Sequence, residues 1–169
     1  MKLRTATASD LPKLREIYAE IVIEMLKNGV DLWNEHYPYE WFPEDIAAER
    51  LWLLCDEEKI AAAFALDSFT DTGDVTWQQP GSPAMVLMRL GVDPAYQHMG
   101  LGARCVELAK NMARERGCKY LRLFVVDCNK PAEQFYIKCG FVRGQGEHTE
   151  VIPGLAPEGL TEYGYEIGV

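Results

Sequence analysis

The sequence lacks a long hydrophobic run. Its N-terminal segment becomes polar at Ser9 and Asp10, before an apolar signal-peptide core forms, and no later run approaches the length that spans a membrane. These absences exclude a secretory leader and a membrane-spanning helix from the interpretation. We therefore expect a cytoplasmic protein with no membrane partner.

Cysteine is scarce. The 5 cysteines are odd in number and scattered through apolar stretches, and no CxxC pair is present. This pattern excludes a disulfide framework and a cysteine-based metal or redox motif, and it favours a reducing compartment. His98 and His148 also lack Cys or His neighbours at ligand spacing, so we expect no metal.

Positive charge is in the minority. The chain has 17 Lys and Arg against 26 Asp and Glu, a formal net charge of -9. Such a field repels a phosphate backbone, so nucleic acid is not an expected partner, whereas a cationic substrate agrees with it. An anionic cofactor is still compatible, because a few oriented backbone amides suffice to bind it.

The remaining composition is that of an ordinary globular protein. With 169 residues and 48% hydrophobic residues, the chain can bury a full core, and we expect one domain over residues 1–169. Hydrophobic periodicity predicts the order strand, helix, helix, three strands, helix, strand, helix and two strands. A hairpin region combined with one crossover unit predicts an α/β (α+β) fold, a mixed sheet with helices on both faces.

Three local predictions accompany this order. Ser9 stands where the N-cap of the first helix is expected. Residues 70–83 are rich in glycine, proline and other turn formers, which predicts an exposed connection. Arg89 and Arg104 are lone arginines, a type usually found at the surface, although either would suit a phosphate.

Residues 33–42 place aromatic side chains among prolines and acids without a clear period. We interpret this segment as a substrate-side loop in which Trp33, His36 and Tyr37, together with Trp41, enclose an ammonium group by cation–π contact. A hydrophobic lid and a contact between two copies of the chain are equally good interpretations. A homodimer is therefore left open.

Residues 90–102 are the most informative segment. An apolar strand runs into a glycine-containing turn that opens directly onto a helix, and the first-turn amides of such a helix have no internal partners. Residues 97–102 can therefore hold a pyrophosphate. A P-loop would need Lys before Ser or Thr where Ala103 and Arg104 stand, and a dinucleotide fingerprint would need glycine at Cys105.

Two motifs in this order resemble those of the GCN5-related N-acetyltransferases (GNAT). The acetyl-CoA motif Arg/Gln-x-x-Gly-x-Gly/Ala is matched by Gln97, Gly100 and Gly102, after a strand end at Val92 and Pro94. The second motif, an asparagine followed by an aromatic-bearing helix that ends in Gly-Phe, is matched by Asn129, Ala132, Phe135, Tyr136, Gly140 and Phe141. The two motifs together are specific, and the predicted elements extend the resemblance over nearly the whole chain.

The resemblance implies a mostly antiparallel sheet in which the strands ending at Val92 and Val126 splay apart to admit acetyl-CoA. Backbone groups of Leu90 and Val92 would pair with the pantetheine arm, and an N–H near Leu90 would stabilise the oxyanion. The implied cofactor-binding residues are Leu90, Val92, Gln97, His98, Met99, Gly100, Leu101, Gly102, Asn129 and Tyr136.

Tyr136 resembles the family's general acid, placed to protonate the leaving thiolate of coenzyme A. A phenol suits this role because it stays protonated at neutral pH and matches a thiolate in basicity. The alternative is a core aromatic beside Phe135. Asn129 is expected to cap its helix, and the resemblance adds a contact with the cofactor or with water near it.

No general base is evident on the central strand, where the inward positions are Val86 and Met88. An amine of low pKa, or a water chain to Asp67, Glu24 or His36, is the remaining route.

The sequence thus predicts an N-acetyltransferase that moves an acetyl group from acetyl-CoA to a primary amine by direct transfer in a ternary complex. We expect a small-molecule amine, with a protein lysine or N-terminal amine as the alternative. A non-catalytic acyl-CoA-binding sensor or interaction domain is the competing hypothesis, and a nucleotide-dependent oxidoreductase is the third.

Overall fold

The computed structural model describes residues 1–153 and 155–169. Within this part of the chain the α-helices are α1 (Leu11–Lys27), α2 (Phe42–Ala47), α3 (Leu101–Glu115) and α4 (Lys130–Lys138). The strands are β1 (Lys2–Thr5), β2 (Leu51–Asp56), β3 (Lys59–Ser68), β4 (Val75–Thr76), β5 (Ala84–Val92), β6 (Tyr120–Val126), β7 (Val142–Arg143), β8 (Gln145–Gly146), β9 (His148–Ile152) and β10 (Ala156–Gly168). The mixed α/β class with a mostly antiparallel sheet is confirmed.

The described chain divides into two compact units. The first is Met1–Leu66 with Arg89–Cys105, and the second is Asp67–Met88 with Val106–Val169. Strand β5 and helix α3 each contribute residues to both units. The expectation of one domain over residues 1–169 stays a prediction. In the described part of the chain, none of the helices combines the length and the apolar character needed to cross a membrane.

In the first unit β1, β2 and β3 form an antiparallel ladder, with Leu3 opposite Leu54 and Leu53 opposite Ala63. The end of β5 joins this ladder, since the N–H of Asp93 donates to the carbonyl of Ala61 at 3.0 Å. Helix α1 buries one face, as its periodicity predicts. The residues of that face are Leu14, Ile17, Tyr18 and Ile21.

The prediction that Ser9 caps α1 is wrong. Ser9 lies inside a short 3₁₀ turn, Ala8–Asp10, that precedes the helix. The carboxylate of Asp10 instead accepts hydrogen bonds from the N–H and the hydroxyl of Thr7, at 2.8 and 2.9 Å. Arg4 donates to the same carboxylate, and this hydrogen bond is the main reason that the pKa of Asp10 is lowered to about 2.

In the second unit β10 is the longest strand and lies between partners. It pairs antiparallel with β6 from Glu162 opposite Val126 to Gly168 opposite Tyr120, and with β7 and β9 on its other edge. The parallel ladder between β5 and β6 is short. Its partners in the described chain run from Ala84 opposite Tyr120 to Val86 opposite Arg122, although β6 continues to Val126.

The expectation of an exposed connection over residues 70–83 is wrong at its centre. Val75 belongs to β4, which pairs with β8, and the indole of Trp77 is buried. Trp77 packs on Phe124 with ring centroids 5.8 Å apart, and a Cβ at Gly164 would lie 2.6 Å from its ring. The segment is therefore held in place by β4 and by the side chain of Trp77, which a turn-rich composition does not reveal.

A buried ion pair lies beneath this segment. The guanidinium of Arg122 donates to Glu166 at 3.1 Å, and both side chains are 1% exposed. The rings of Trp77 and Phe69 lie within 4.5 and 4.8 Å of the guanidinium carbon. Glu166 also accepts a hydrogen bond from the N–H of Gln78, so the pair joins β6 and β10 to the covering segment.

We expect Glu166→Gln to lower the free energy of unfolding by about 3–5 kcal/mol, because it leaves the buried Arg122 charge without its counter-ion. Urea denaturation would measure the loss. Glu158→Gln, at an exposed position of the same strand, is the control and should stay within about 0.5 kcal/mol of the parent. Equal effects of the two changes would contradict this account.

Candidate active site

A strained residue interrupts β5 next to the predicted site. Arg89 has φ 54, the left-handed region that a residue with a Cβ rarely adopts, at a cost on the order of 1–3 kcal/mol. The hydroxyl of Tyr18 donates to the carbonyl of Arg89 at 2.6 Å, and it lies 3.4 Å from the carbonyl of Ala63. Helix α1 therefore stabilises the bulged conformation from one side.

The side chain of Arg89 restrains this strained backbone through a second set of contacts. It donates two hydrogen bonds to Asp45, at 2.9 and 2.7 Å, and Arg50 donates a third at 2.6 Å. Burial lowers the pKa of Arg89, but the hydrogen bonds with Asp45 and Tyr37 outweigh it and raise the pKa above its usual value. The expectation of a surface arginine is therefore wrong for Arg89.

Gly91 lets α1 approach the strand closely. A Cβ built at Gly91 would lie 2.8 Å from the ring and hydroxyl of Tyr18 and 2.9 Å from Ile21. Since side chains alternate along a strand, Leu90 and Val92 lie on the face opposite α1, and both are half-buried. These are the two strand residues predicted to pair with a pantetheine arm.

The predicted phosphate-binding turn is exposed. Residues 97–100 are all exposed, and Leu101, where α3 begins, is buried and anchors the helix. His98 and Gly100 adopt left-handed conformations with φ 62 and 73. Turns of this type gather successive N–H groups into anion-binding concavities, and the first-turn amides of α3, including that of Gly102, add to them.

The aromatic loop is a packed cluster in the first unit. The ring of Trp33 stacks on Tyr18 at 5.7 Å and contacts Tyr37 edge to face at 6.2 Å. The structure thus brings two of the three predicted acceptor-side residues together beside Tyr18. His36 is separate, because its ring hydrogen-bonds Glu40 at 2.7 Å on the protein surface.

Asn129 and Tyr136 belong to the second unit. The side chain of Asn129 accepts a hydrogen bond from the N–H of Ala132 at 3.2 Å, so the predicted cap of α4 is confirmed. Tyr136 is half-buried, and its ring contacts Phe135 at 5.0 Å and Phe141 at 5.6 Å. Its aromatic packing is as expected for the end of such a helix, and its role as an acid stays a prediction.

Two of the predicted proton acceptors have other partners. Glu24 forms an ion pair with Lys27 at 2.6 Å. The hydrogen bond and charge of Glu40 raise the pKa of His36, which favours its protonated form. A protonated His36 is therefore not suited to accept a proton from an amine.

A group of ionisable side chains in the second unit escaped the sequence analysis. Ligand-type atoms of His148, Glu150 and Glu162 all lie within 4.8 Å of one another. They meet because β9 and β10 pair with His148 opposite Glu162. The spacing of Cys and His residues around His148 does not reveal this group, because its other members, Glu150 and Glu162, are acids and Glu162 is on another strand.

The mixed fold and the comparisons with known proteins define the class of the protein, that of acyl transfer enzymes. A sequence model described as "Acetyltransferase (GNAT) family" matches residues 12–141. Because this match spans more than half of the chain, the chain belongs to the GNAT acetyltransferase family. The family resemblance of the two motifs is confirmed.

Individual relatives agree with this family. A mycothiol acetyltransferase from Thermobifida fusca (strain YX) is 33% identical over 78 residues, which is 46% of this chain and 23% of the relative's own length. The shared segment is thus less than a quarter of that protein.

Solved structures show the same fold over almost the whole chain. A GNAT-family acetyltransferase from Streptococcus agalactiae 2603 has a TM-score of 0.79 at 15% identity and covers 99% of this chain and 95% of its own. Another from Listeria monocytogenes 4b F2365 has a TM-score of 0.72 at 16% identity, covering 99% and 94%.

We expect Tyr18→Phe to destabilise the bulge at Arg89. The variant keeps the ring contacts but loses the hydrogen bond to the Arg89 carbonyl, which should lower the free energy of unfolding by about 1 kcal/mol. The backbone amide NMR shifts of Leu90 and Gly91 should also move. Tyr39→Phe, in the neighbouring 3₁₀ turn Tyr39–Trp41, is the control. Unchanged shifts in Tyr18→Phe would show that the bulge does not depend on this hydrogen bond.

Proposed function

We propose that the protein is an N-acetyltransferase that moves an acetyl group from acetyl-CoA to the primary amine of a small molecule. The observation that carries the proposal is the exposed turn formed by residues 97–100, whose left-handed His98 and Gly100 lead into the N-terminus of α3. This turn offers backbone N–H groups and the positive end of a helix dipole to the pyrophosphate of coenzyme A. Gln97, His98, Met99, Gly100, Leu101 and Gly102 are the proposed phosphate-binding residues.

Strand β5 supplies the next part of the proposed site. Leu90 and Val92 hold the pantetheine arm through their backbone, and the N–H of Leu90 stabilises the oxyanion that forms when the amine attacks the thioester. One such donor is typically worth about 10²–10³ in rate when its position is preorganised. The contacts of Arg89 with Tyr18 and Asp45 support this role, because they hold the backbone immediately before Leu90.

Tyr136 is the proposed general acid, which gives its proton to the thiolate of coenzyme A as the carbon–sulfur bond breaks. Asn129 keeps α4 in place through its cap and is proposed to contact the cofactor or water beside it. The reaction is proposed as direct transfer in a ternary complex, without an acetylated enzyme. It needs no metal ion.

The acceptor is proposed to be a cationic small-molecule amine. The formal net charge of -9 favours a cation, and the cluster of Trp33, Tyr37 and Tyr18 offers aromatic faces. His36 remains a proposed contact at the edge of this cluster. The relative named mycothiol acetyltransferase supports acetyl transfer but identifies no acceptor, because it shares only part of its length with this chain.

We expect Gly100→Ala to raise the dissociation constant for coenzyme A by tenfold or more, because the added Cβ strains the turn and blocks the approach of the pyrophosphate. Isothermal titration calorimetry would measure the binding. Gly117→Ala is the matched control: Gly117 ends the same helix with φ 75, and at both glycines a Cβ has no neighbour within 4 Å in the described chain. Equal weakening by both variants would contradict the proposed phosphate site.

We expect Tyr136→Phe to lower kcat by about 10²-fold or more with little change in the affinity for acetyl-CoA, since only the proton donor is removed. Release of free thiol from acetyl-CoA, with a panel of polyamines, amino acids, aminoglycosides and lysine peptides, would measure turnover. Tyr120→Phe is the control, because Tyr120 lies at the opposite end of β6 from Asn129.

The panel also separates the competing functions. Tight binding of acetyl-CoA without thiol release from any amine would favour the acyl-CoA sensor. Turnover only with lysine peptides would replace the small-molecule acceptor by a protein.

A further inference from the structure

Glu162 occupies the end of the central ladder in the second unit. It lies opposite Val126, the last residue of β6, and also opposite His148, the first residue of β9. Directly opposed residues share a sheet face, so Glu162, Val126 and His148 project to the same side. Phe124 is on this side too, with its ring 5.2 Å from the imidazole of His148. The carboxyl group of Glu162 is partly shielded, because the residue has intermediate exposure.

The opposite face of β10 carries the contact with α4. Tyr165 donates a hydrogen bond to Glu133 of α4 at 2.6 Å. The same helix holds Tyr136, and the N–H of Asn129, its cap, donates to the carbonyl of Val126 at 2.9 Å. Glu162 and the helix of the proposed acid therefore both lie at the end of β6, on opposite faces of the sheet.

Charges around Glu162 suit a cationic partner. The imidazole of His148 lies between two carboxylates, 3.0 Å from Asp74 and 3.1 Å from Glu150. Burial lowers the pKa of His148, but the hydrogen bonds with Asp74 and Glu150 outweigh it and raise the pKa above its usual value. A protonated imidazole therefore neutralises only part of the negative charge of the three acids, and a cation is still favoured beside them.

Burial also affects Glu162 itself. Burial is the largest cause of a raised pKa at this carboxyl group, the charge of Glu150 adds to the rise and that of His148 opposes it, and the resulting pKa is about 7. A base is most effective when its pKa lies near the working pH, because it is then both ionised and basic enough to take a proton. An exposed glutamate, with a pKa near 4.3, would be a much weaker base.

We propose that Glu162 is the general base of the acetyl transfer and that the acceptor is a primary amine which arrives as an ammonium ion beside His148 and Glu150. The inference rests on the proposed function. Glu162 takes one proton from the ammonium group and passes it to solvent. The nitrogen lone pair then attacks the thioester carbon, and the carbon–nitrogen bond forms. As the tetrahedral intermediate collapses, the carbon–sulfur bond breaks, and Glu162, ionised again, takes the second proton from the nitrogen. The thiolate sulfur takes a proton from Tyr136, and solvent then returns a proton to Tyr136.

The same three side chains could instead bind a divalent cation, since their ligand atoms lie within 4.8 Å of one another. The hydrogen bonds of both ring nitrogens of His148 with carboxylates favour the base over the metal site, because a metal ligand must offer a free nitrogen lone pair. Assays with EDTA, and with added zinc, distinguish the two.

The test is the pH dependence of kcat for the parent, Glu162→Gln, Glu162→Asp and Glu158→Gln, with the amine that the panel identifies. The parent rate should rise with pH through about 7, since the base acts in its ionised form. Glu162→Gln should lose about 10²-fold or more in kcat and also lose this rise, whereas its Kd for acetyl-CoA should stay unchanged. Glu162→Asp should retain part of the rate and part of its rise with pH. Glu158→Gln, exposed on the same strand, should match the parent.

The outcomes separate this inference from the proposed function. Turnover by Glu162→Gln with the parent's rate and pH profile would overturn Glu162 as the base and leave the transferase intact. Loss of activity in EDTA that zinc restores would replace the base with a metal site. No turnover with any amine, although acetyl-CoA binds, would overturn the proposed function and this inference with it. If Glu162→Gln does not fold by circular dichroism, Glu162→Asp decides. A folded Asp variant with unchanged acetyl-CoA affinity, a reduced rate and a remaining rise near pH 7 supports the carboxylate as the base. A parent-like rate in this variant rejects it.

Discussion

Asp45 is fully buried and receives hydrogen bonds from two arginines, Arg50 and Arg89. A buried carboxylate is stable only when its charge is compensated, and removal of one partner from such a pair typically costs about 3–5 kcal/mol. This requirement ties α2 to β5 at the residue where the strand adopts a left-handed conformation. The hydrogen bond of Tyr18 to the Arg89 carbonyl adds a second restraint from α1. The backbone conformation at the start of the proposed thioester site thus depends on side chains from two helices.

The second unit is organised around a different set of buried polar groups. Arg122 and Glu166 form an ion pair across β6 and β10, and Trp77 covers it. Further along the same two strands, Glu162 lies beside His148 in a less buried setting. The two carboxylates on this sheet face therefore have different neighbouring charges. Glu166 is paired with a guanidinium, whereas Glu162 is surrounded by acids and an imidazole. A buried acid without a full counter-charge is the usual physical origin of a raised carboxyl pKa, and of groups that exchange protons near neutral pH.

Much of the fold was predictable, because helices and strands with strong periodicity report local burial. Strand β5 ends at Val92 and α4 follows Asn129, as the sequence predicts. Failures occurred where a local signal competed with a long-range one. Turn formers around Trp77 suggested an exposed connection, yet its indole is buried against Phe124 and Gly164. Ser9 has the right chemistry for a cap, but Thr7 and Asp10 form the turn before α1, because Arg4 also binds that carboxylate.

The sequence by itself determined the family, the turn of residues 97–102 that is proposed to bind phosphate, and the cap at Asn129. Each of these depends on residues that are contiguous in the chain, so backbone propensity and spacing reveal them. Only the tertiary structure decided the partners of Arg89, the burial of Trp77 and the meeting of Glu162 with His148. Those contacts join residues that are far apart in the chain, and they arise from strand register and helix packing, which composition and local pattern do not encode.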